Sequence, residues 1–234
     1  MPILAKNLLL QLKNLLLKER HMNVHTKLLS ETLRPQTLAE ITLPDDDIRF
    51  LEAMTASKTT MNLLFYGKPG AGKTSTAKII LKEIDADHII LNGSFNEGDK
   101  AFIKLIRGFA YTTSMLERPK VCFIEEADFT PSAVQDGLRF IIEDTSENCR
   151  FIMTANNINK MTDAIKSRCQ PLSFDISVKD RAAILARMTK QYDHKLQQAG
   201  IKIEQQKIHE IISLYFPDFR MIANRFQKEA YKLS

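Results

Sequence analysis

Eight consecutive residues constrain this chain more than any others: Gly67-Lys68-Pro69-Gly70-Ala71-Gly72-Lys73-Thr74. They satisfy the spacing G-x-x-x-x-G-K-[ST] at every fixed position, and they stand between an apolar run, Met61–Tyr66, and a helical pattern, Thr74–Ile84. Glycines at this spacing let the backbone wind so that its N–H groups point inward at phosphate oxygens. The helix that follows adds the partial positive charge of its N-terminus. The pattern predicts a phosphate cradle made of Gly67, Lys68, Pro69, Gly70, Ala71, Gly72, Lys73, Thr74 and Ser75. Lys73 is expected to reach the β- and γ-phosphates of ATP, and the Thr74 hydroxyl to ligate Mg²⁺.

The surrounding pattern fixes the fold class. Ile89–Leu91, Val121–Ile124 and Phe151–Thr154 read as further buried strands, with Pro171–Phe174 a weaker one. Helical stretches lie between them at Lys100–Met115 and Ser132–Glu143. Strands alternating with helices predict a three-layer α/β domain around a parallel sheet. After Phe174 the strand signals stop, and Lys179–Ala199, Glu204–Tyr215 and Phe219–Leu233 read as helices. The expected division is a leader at 1–21, an α/β domain at 22–174 and a small all-helical domain at 175–234.

A second strand ends in acids: Val121-Cys122-Phe123-Ile124-Glu125-Glu126-Ala127-Asp128. In a parallel sheet such a strand delivers carboxylates to the edge where the phosphate loop lies. Glu125 is expected on the metal side, and Glu126 as the group that polarises an attacking water.

Composition excludes several classes. Hydrophobic residues make up 44% and charged residues 26%, an ordinary globular balance that leaves no room for a mainly disordered or fibrous chain. Cys122, Cys149 and Cys169 are odd in number and widely spaced, with no zinc-ligand spacing, so a reduced intracellular compartment is the expectation. The net charge is 33 − 28 = +5, compatible with nucleic acid without pointing to it. Lys6, Lys13, Lys18 and Arg20 against Glu19 place +3 of that in residues 1–21. Leu8, Leu12, Leu15 and Leu16 of this leader fall on one helical face, but its leucines come in runs of at most three, too short to span a bilayer. No membrane association is expected. A vector-derived leader ahead of Met22 is the stronger reading.

At this point the residues resemble an AAA+ ATPase, and more narrowly an ATPase subunit of a sliding-clamp loader. Leu33-Arg34-Pro35-Gln36-Thr37-Leu38 resembles the entry segment that lies near the adenine in that family, which implies a nucleotide contact for Arg34 and Pro35. Ala155-Asn156 resembles the sensor-1 position, Ser167-Arg168-Cys169 the motif whose arginine enters a neighbouring subunit's ATP site, and Phe216-Pro217-Asp218-Phe219-Arg220 the sensor-2 region. Thr154-Ala155-Asn156-Asn157 and Leu91-Asn92-Gly93-Ser94 are closer still to the T4-like phage members. Gln135, Leu138-Arg139 and Glu143 resemble the helix that couples DNA contact to the ATP site.

The resemblance implies catalytic roles for Glu126, Lys73, Asn156, Arg168 in trans and Arg220, with ATP and Mg²⁺ as cofactors. It implies a hetero-oligomer that opens a sliding clamp and loads it on primer–template DNA during replication, in the cytoplasm, the host's if the chain is phage-encoded. The plainer readings are an Arg139–Glu143 pair at i+4, an Arg220 pair with Asp218 or Glu229, and Asn156 as a turn cap.

Three departures stand out. Glu125 replaces the family's aspartate, and an error of about 1 Å in placing such a group can cost roughly 10²-fold in rate. Leu33 replaces a tyrosine. The chain stops at Ser234, with nothing matching the helical collar, as expected of a fragment, a split gene or a reduced loader. The competing functions are an ATP-binding switch with little turnover, or another AAA+ remodeller such as a helicase loader.

Overall fold

The computed structural model describes residues 28–94, 98–114 and 117–233, so the leader expected at 1–21 lies outside the described residues. The chain separates into two compact units, one holding 35–184 and the other 185–233 together with 28–34.

The larger unit is built on five parallel strands, β1 (Leu63–Tyr66), β2 (Asp87–Asn92), β3 (Lys120–Glu125), β4 (Cys149–Ala155) and β5 (Gln170–Ser173), in the order β2-β3-β4-β1-β5. The three central strands carry apolar runs at their centres, Leu63–Phe65, Val121–Ile124 and Phe151–Met153, all buried, as a sheet covered on both faces requires. One face packs Leu63, Phe65, Val121, Phe123 and Ile152 against Ile80, Ile84 and Leu51. The other packs Leu64, Cys122, Ile124, Phe151 and Met153 against Ile106, Leu138 and Ile141. Asn62, just before β1, fastens three strands: its Oδ1 accepts from Phe151 N–H at 2.9 Å, its carbonyl from Gln170 N–H at 2.8 Å, and its Nδ2 donates to Arg168 O at 3.2 Å.

In chain order the helices are α1 (Leu29–Thr32), α2 (Asp45–Ala56), α3 (Lys73–Glu83), α4 (Asp99–Ala110), α5 (Ser132–Asp144), α6 (Asp163–Lys166), α7 (Val178–Gln198), α8 (Gln205–Tyr215) and α9 (Phe219–Leu233). The expected strands and long helices are all present, with ends moved by a few residues. The helix expected to run to Met115 stops at Ala110. Helix α2 was not expected. It opens on three aspartates after Pro44, which suits the positive end of the helix dipole, and buries Ile48, Leu51 and Thr55.

In the smaller unit, the rings of Tyr192 of α7 and Phe226 of α9 meet at a tilt, 5.6 Å apart, and Ile208, Ile212 and Ile222 are buried. The first segment joins this unit: Leu29 N–H donates to Gln227 Oε1 at 2.8 Å, and Lys195 Nζ to Arg34 O at 3.3 Å. No helix among the described residues is long and apolar enough to cross a membrane.

Candidate functional site

The strand order reverses at β1. The chain leaves it for β2 across one side of the sheet and returns later to β5 on the other. The crevice beyond the carboxyl ends of β1 and its neighbour β4 is where an open α/β sheet places ligands. The loop Gly67–Gly72 follows β1 directly.

That loop needs its glycines. Gly67 has φ +138°, and a Cβ there would stand 3.1 Å from Phe174 and from the backbone of Asp175. Gly72, with φ +96°, is the N-cap of α3 and offers no side chain to the helix's first N–H groups. Lys68 N–H donates to Asp175 Oδ1 at 3.2 Å, fastening the loop to the segment after β5.

Lys73 is only 7% exposed, and a buried ammonium needs acceptors. Its Nζ donates to Gly67 O at 2.6 Å, Lys68 O at 2.9 Å and Asn156 Oδ1 at 3.0 Å. These three acceptors are neutral dipoles, and an anion competes for the same protons on better terms. Thr74 and Ser75, the next residues of α3, are half-buried. A curled loop, an uncapped helix start and an ammonium folded over both fit a polyphosphate group.

The acidic strand end lies one strand away, across β4. Glu125 Oε1 is 3.7 Å from Lys78 Nζ. Lys78 follows Thr74 by four residues on the same face of α3, so Glu125 is directed toward the side of the helix that bears the Thr74 hydroxyl. Among the described residues no three His, Cys, Asp or Glu side chains converge on a metal site. A threonine and one or two carboxylates fit Mg²⁺, which is bound with few protein ligands beside phosphate oxygens and water. Glu126 sits in the left-handed region at φ +54°, and its N–H donates to Thr154 Oγ1 at 3.0 Å.

Other expected residues fall elsewhere. Arg168 precedes β5, and its carbonyl is bonded to Asn62 ahead of β1. It therefore lies at the amino edge of the sheet, the opposite end of β1 from Gly67. Its guanidinium donates to Glu143 Oε1 and, at 2.7 Å, to Ala164 O. Among the described residues the i+4 pair expected between Arg139 and Glu143 does not form, and Glu143 is paired with Arg168. Arg139 instead lies over the Phe140 ring at 4.3 Å. Arg34 pairs with Glu31 at 3.5 Å in the smaller unit, and Pro35 opens the larger one. Arg220 stands exposed in the first turn of α9. Asp218 accepts from the backbone N–H groups of Arg220 and Met221 as a cap, and Glu229 pairs with Lys232. The cap of the turn after β4 is Asn157, whose Oδ1 accepts from Asn159 N–H at 2.9 Å, not Asn156.

Three site neighbours escaped the sequence reading. Thr154 was read as part of an apolar strand and of the Thr154-Ala155-Asn156-Asn157 segment, with no role of its own. Asp175 carries no signal at all. Asp128, two residues past the paired acids, is buried and accepts from Asn157 N–H at 3.0 Å.

Residues 63–174 match the model of the "ATPase family associated with various cellular activities (AAA)". The chain is 31% identical over 206 residues to a replication factor C small subunit of Archaeoglobus fulgidus, covering 86% of this chain and 63% of that one. It is 28% identical to the sliding-clamp-loader large subunit of Escherichia phage RB69, covering 90% and 67%, and 30% identical to that of Enterobacteria phage T4, covering 85% and 63%. The chain thus spans between 63% and 67% of the length of these curated relatives. A RuvB variant of Thermotoga maritima shares the fold with a TM-score of 0.63 at 22% identity, covering 82% of this chain and 63% of that one.

Proposed function

From the premise that residues 63–174 are an ATPase domain of the AAA family, we propose that the chain is an ATPase subunit of a sliding-clamp loader. In this reading it uses ATP with Mg²⁺ to open a clamp and place it on primer–template DNA, together with other loader subunits. The observation that carries the reading is the convergence of Lys73, Asn156 and the Glu125-Glu126 strand end at one sheet edge, in a chain whose relatives carry clamp-loader names.

Bound Mg²⁺ neutralises phosphate charge and fixes the leaving geometry. The residues supply the rest. Gly67–Gly72 wraps the phosphates with backbone N–H groups. Lys73 exchanges its loop carbonyls for phosphate oxygens while keeping Asn156 within reach. Thr74 and Glu125 hold the metal side. Glu126 orients and deprotonates water, and Asn156 positions it. Arg168, at the far edge of its own sheet, serves a neighbouring subunit's site.

The test is steady-state ATP hydrolysis by the purified chain, with primer–template DNA and clamp added separately and together. Synergistic stimulation is the expected result, and Glu126→Gln is expected to keep nucleotide binding while stopping turnover. Stimulation by neither DNA nor clamp overturns the loader assignment.

One observation favours a second reading. Glu125 is drawn toward Lys78, and a metal-side acid engaged there would leave an ATP-binding switch with little turnover. Tight nucleotide binding with a flat, near-zero rate under every addition would select it.

A further inference from the structure

We propose that Asp128 is a positioning residue for Asn156, a role that rests on the ATPase reading above. Asp128 is 5% exposed. It enters the interior because Glu126, in the left-handed conformation, turns the chain inward through the short helical turn Ala127–Phe129. One carboxylate oxygen, Oδ2, accepts from Asn157 N–H at 3.0 Å. The other, Oδ1, is buried with no hydrogen-bond partner among the described residues.

A buried carboxylate oxygen without a partner is costly, and sites that keep one call for a physical reason. The geometry supplies one. Two bonds tie the end of β3 to the end of β4: Glu126 N–H to Thr154 Oγ1, and Asn157 N–H to Asp128 Oδ2. They hold the chain on either side of Asn156, at Thr154 in β4 and at Asn157 just past it. Asn156 is the residue whose Oδ1 receives Lys73 Nζ. A change at Asp128 therefore reaches the phosphate site through the Asn156–Asn157 turn, without Asp128 touching nucleotide. The strand that delivers Glu126 also sets the height of Asn156, so both groups are referred to one frame.

The test compares Asp128→Ala, Asp128→Asn, Asn156→Ala and the double variant Asp128→Ala/Asn156→Ala in the full chain. Misplacing a catalytic neighbour by about 1 Å costs up to roughly 10²-fold, so Asp128→Ala is expected to lower kcat by about 10- to 100-fold. Nucleotide Kd is expected to move by less than about threefold, since the loss falls on kcat rather than on uniform binding. Asp128→Asn keeps a carbonyl acceptor for Asn157 and is expected to restore most of the rate. The double variant is expected to be no slower than Asn156→Ala alone, because Asp128 acts through that residue.

Full additivity in that cycle overturns the proposal, as does a wild-type kcat in Asp128→Ala at an unchanged melting midpoint. An Asp128→Asn variant no faster than Asp128→Ala also overturns it. Amide exchange supplies a readout independent of turnover: the Asn157 amide should exchange faster in Asp128→Ala than in the parent, bound to nucleotide or not. A parent chain that binds ATP without hydrolysing it would sink the ATPase reading, and unchanged Asn157 exchange would sink this one.

Discussion

Lys73 and Asn156 are joined by a 3.0 Å hydrogen bond from Nζ to Oδ1, across the gap between the phosphate loop and the end of β4. The bond is possible because β1 and β4 pair in register, with Tyr66 beside Ala155, so the residues that follow emerge side by side. Lys73 thereby has its reach set by a group outside its own loop.

Removing either partner should have different consequences. Lys73→Ala takes away the ammonium proposed to bind the phosphates, and nucleotide binding should be lost in a fluorescent-nucleotide titration. Asn156→Ala leaves the bonds from Lys73 to Gly67 and Lys68 in place. Binding should then change by only a few tenths to about 1 kcal/mol, the net worth of one hydrogen bond, while turnover falls. Equal loss of binding in both variants would contradict this division of labour.

Gly93 lies where the turn after β2 meets the acidic strand end. Its N–H donates to Glu125 O at 2.7 Å, and a Cβ at Gly93 would stand 2.6 Å from Glu126 O and 2.9 Å from Thr130 Cγ2. The first of these is backbone and cannot swing aside. Gly93→Ala should therefore shift the Glu126 turn and destabilise the domain by about 1–3 kcal/mol, in the range of other overpacking changes. Chemical denaturation would measure the loss, and kcat should fall with it. An alanine variant of unchanged stability and rate would show that the turn moves freely.

The sheet was legible because each central strand has an apolar run at its heart and the first three connections carry a helical period. The phosphate loop was legible because its glycines and lysine are adjacent in sequence. Asp128 and Thr154 lay inside quoted motifs and Asp175 in none, but the roles of all three were not legible, since they arise only when separate strand ends meet. Arg168 was found by its motif, yet its Glu143 partner was assigned to Arg139. Spacing along one helix suggested a pair that a residue 25 positions away takes in the fold. Helix α2 was missed because its start is signalled by charge rather than by a capping side chain.

The three cysteines give a pH dependence. Burial pushes the Cys149 thiol up to about 11 and the Cys169 thiol up to about 12, and holds the Cys122 thiol well above its ordinary value. In the unfolded chain these groups ionise near pH 9, while the folded chain keeps them protonated. The unfolded state therefore binds fewer protons between pH 9 and the folded values, and stability must fall as pH rises through that window. The melting midpoint should drop steadily above pH 9. Replacing Cys149 and Cys169 by Ala should flatten the slope even though it also costs packing. Iodoacetamide should label the native protein slowly at pH 7.5 and quickly after denaturation. Rapid native labelling would contradict the burial of these thiols.

Arg168 offers the sharpest test of assembly. Its backbone is bonded to Asn62 at the amino end of β1, whereas the phosphate loop leaves the carboxyl end, so the strand itself separates it from its own site. An arginine so placed cannot serve its own site, and the trans role proposed for it is what the test addresses. Arg168→Ala chains keep their own phosphate loop, and Lys73→Ala chains keep their arginine. Each variant alone should hydrolyse ATP slowly, and mixing them should restore part of the rate, because the Lys73→Ala chain lends Arg168 to the intact loop beside it. Arginine fingers are worth roughly 10³–10⁵ in rate where they act, so even partial complementation is measurable. The pair with Glu143 is half-exposed and worth at most about 1 kcal/mol, so Glu143→Gln should free the arginine with little loss of stability. Mixed chains that associate, as seen by sedimentation, yet stay as slow as either variant alone would rule out the trans role.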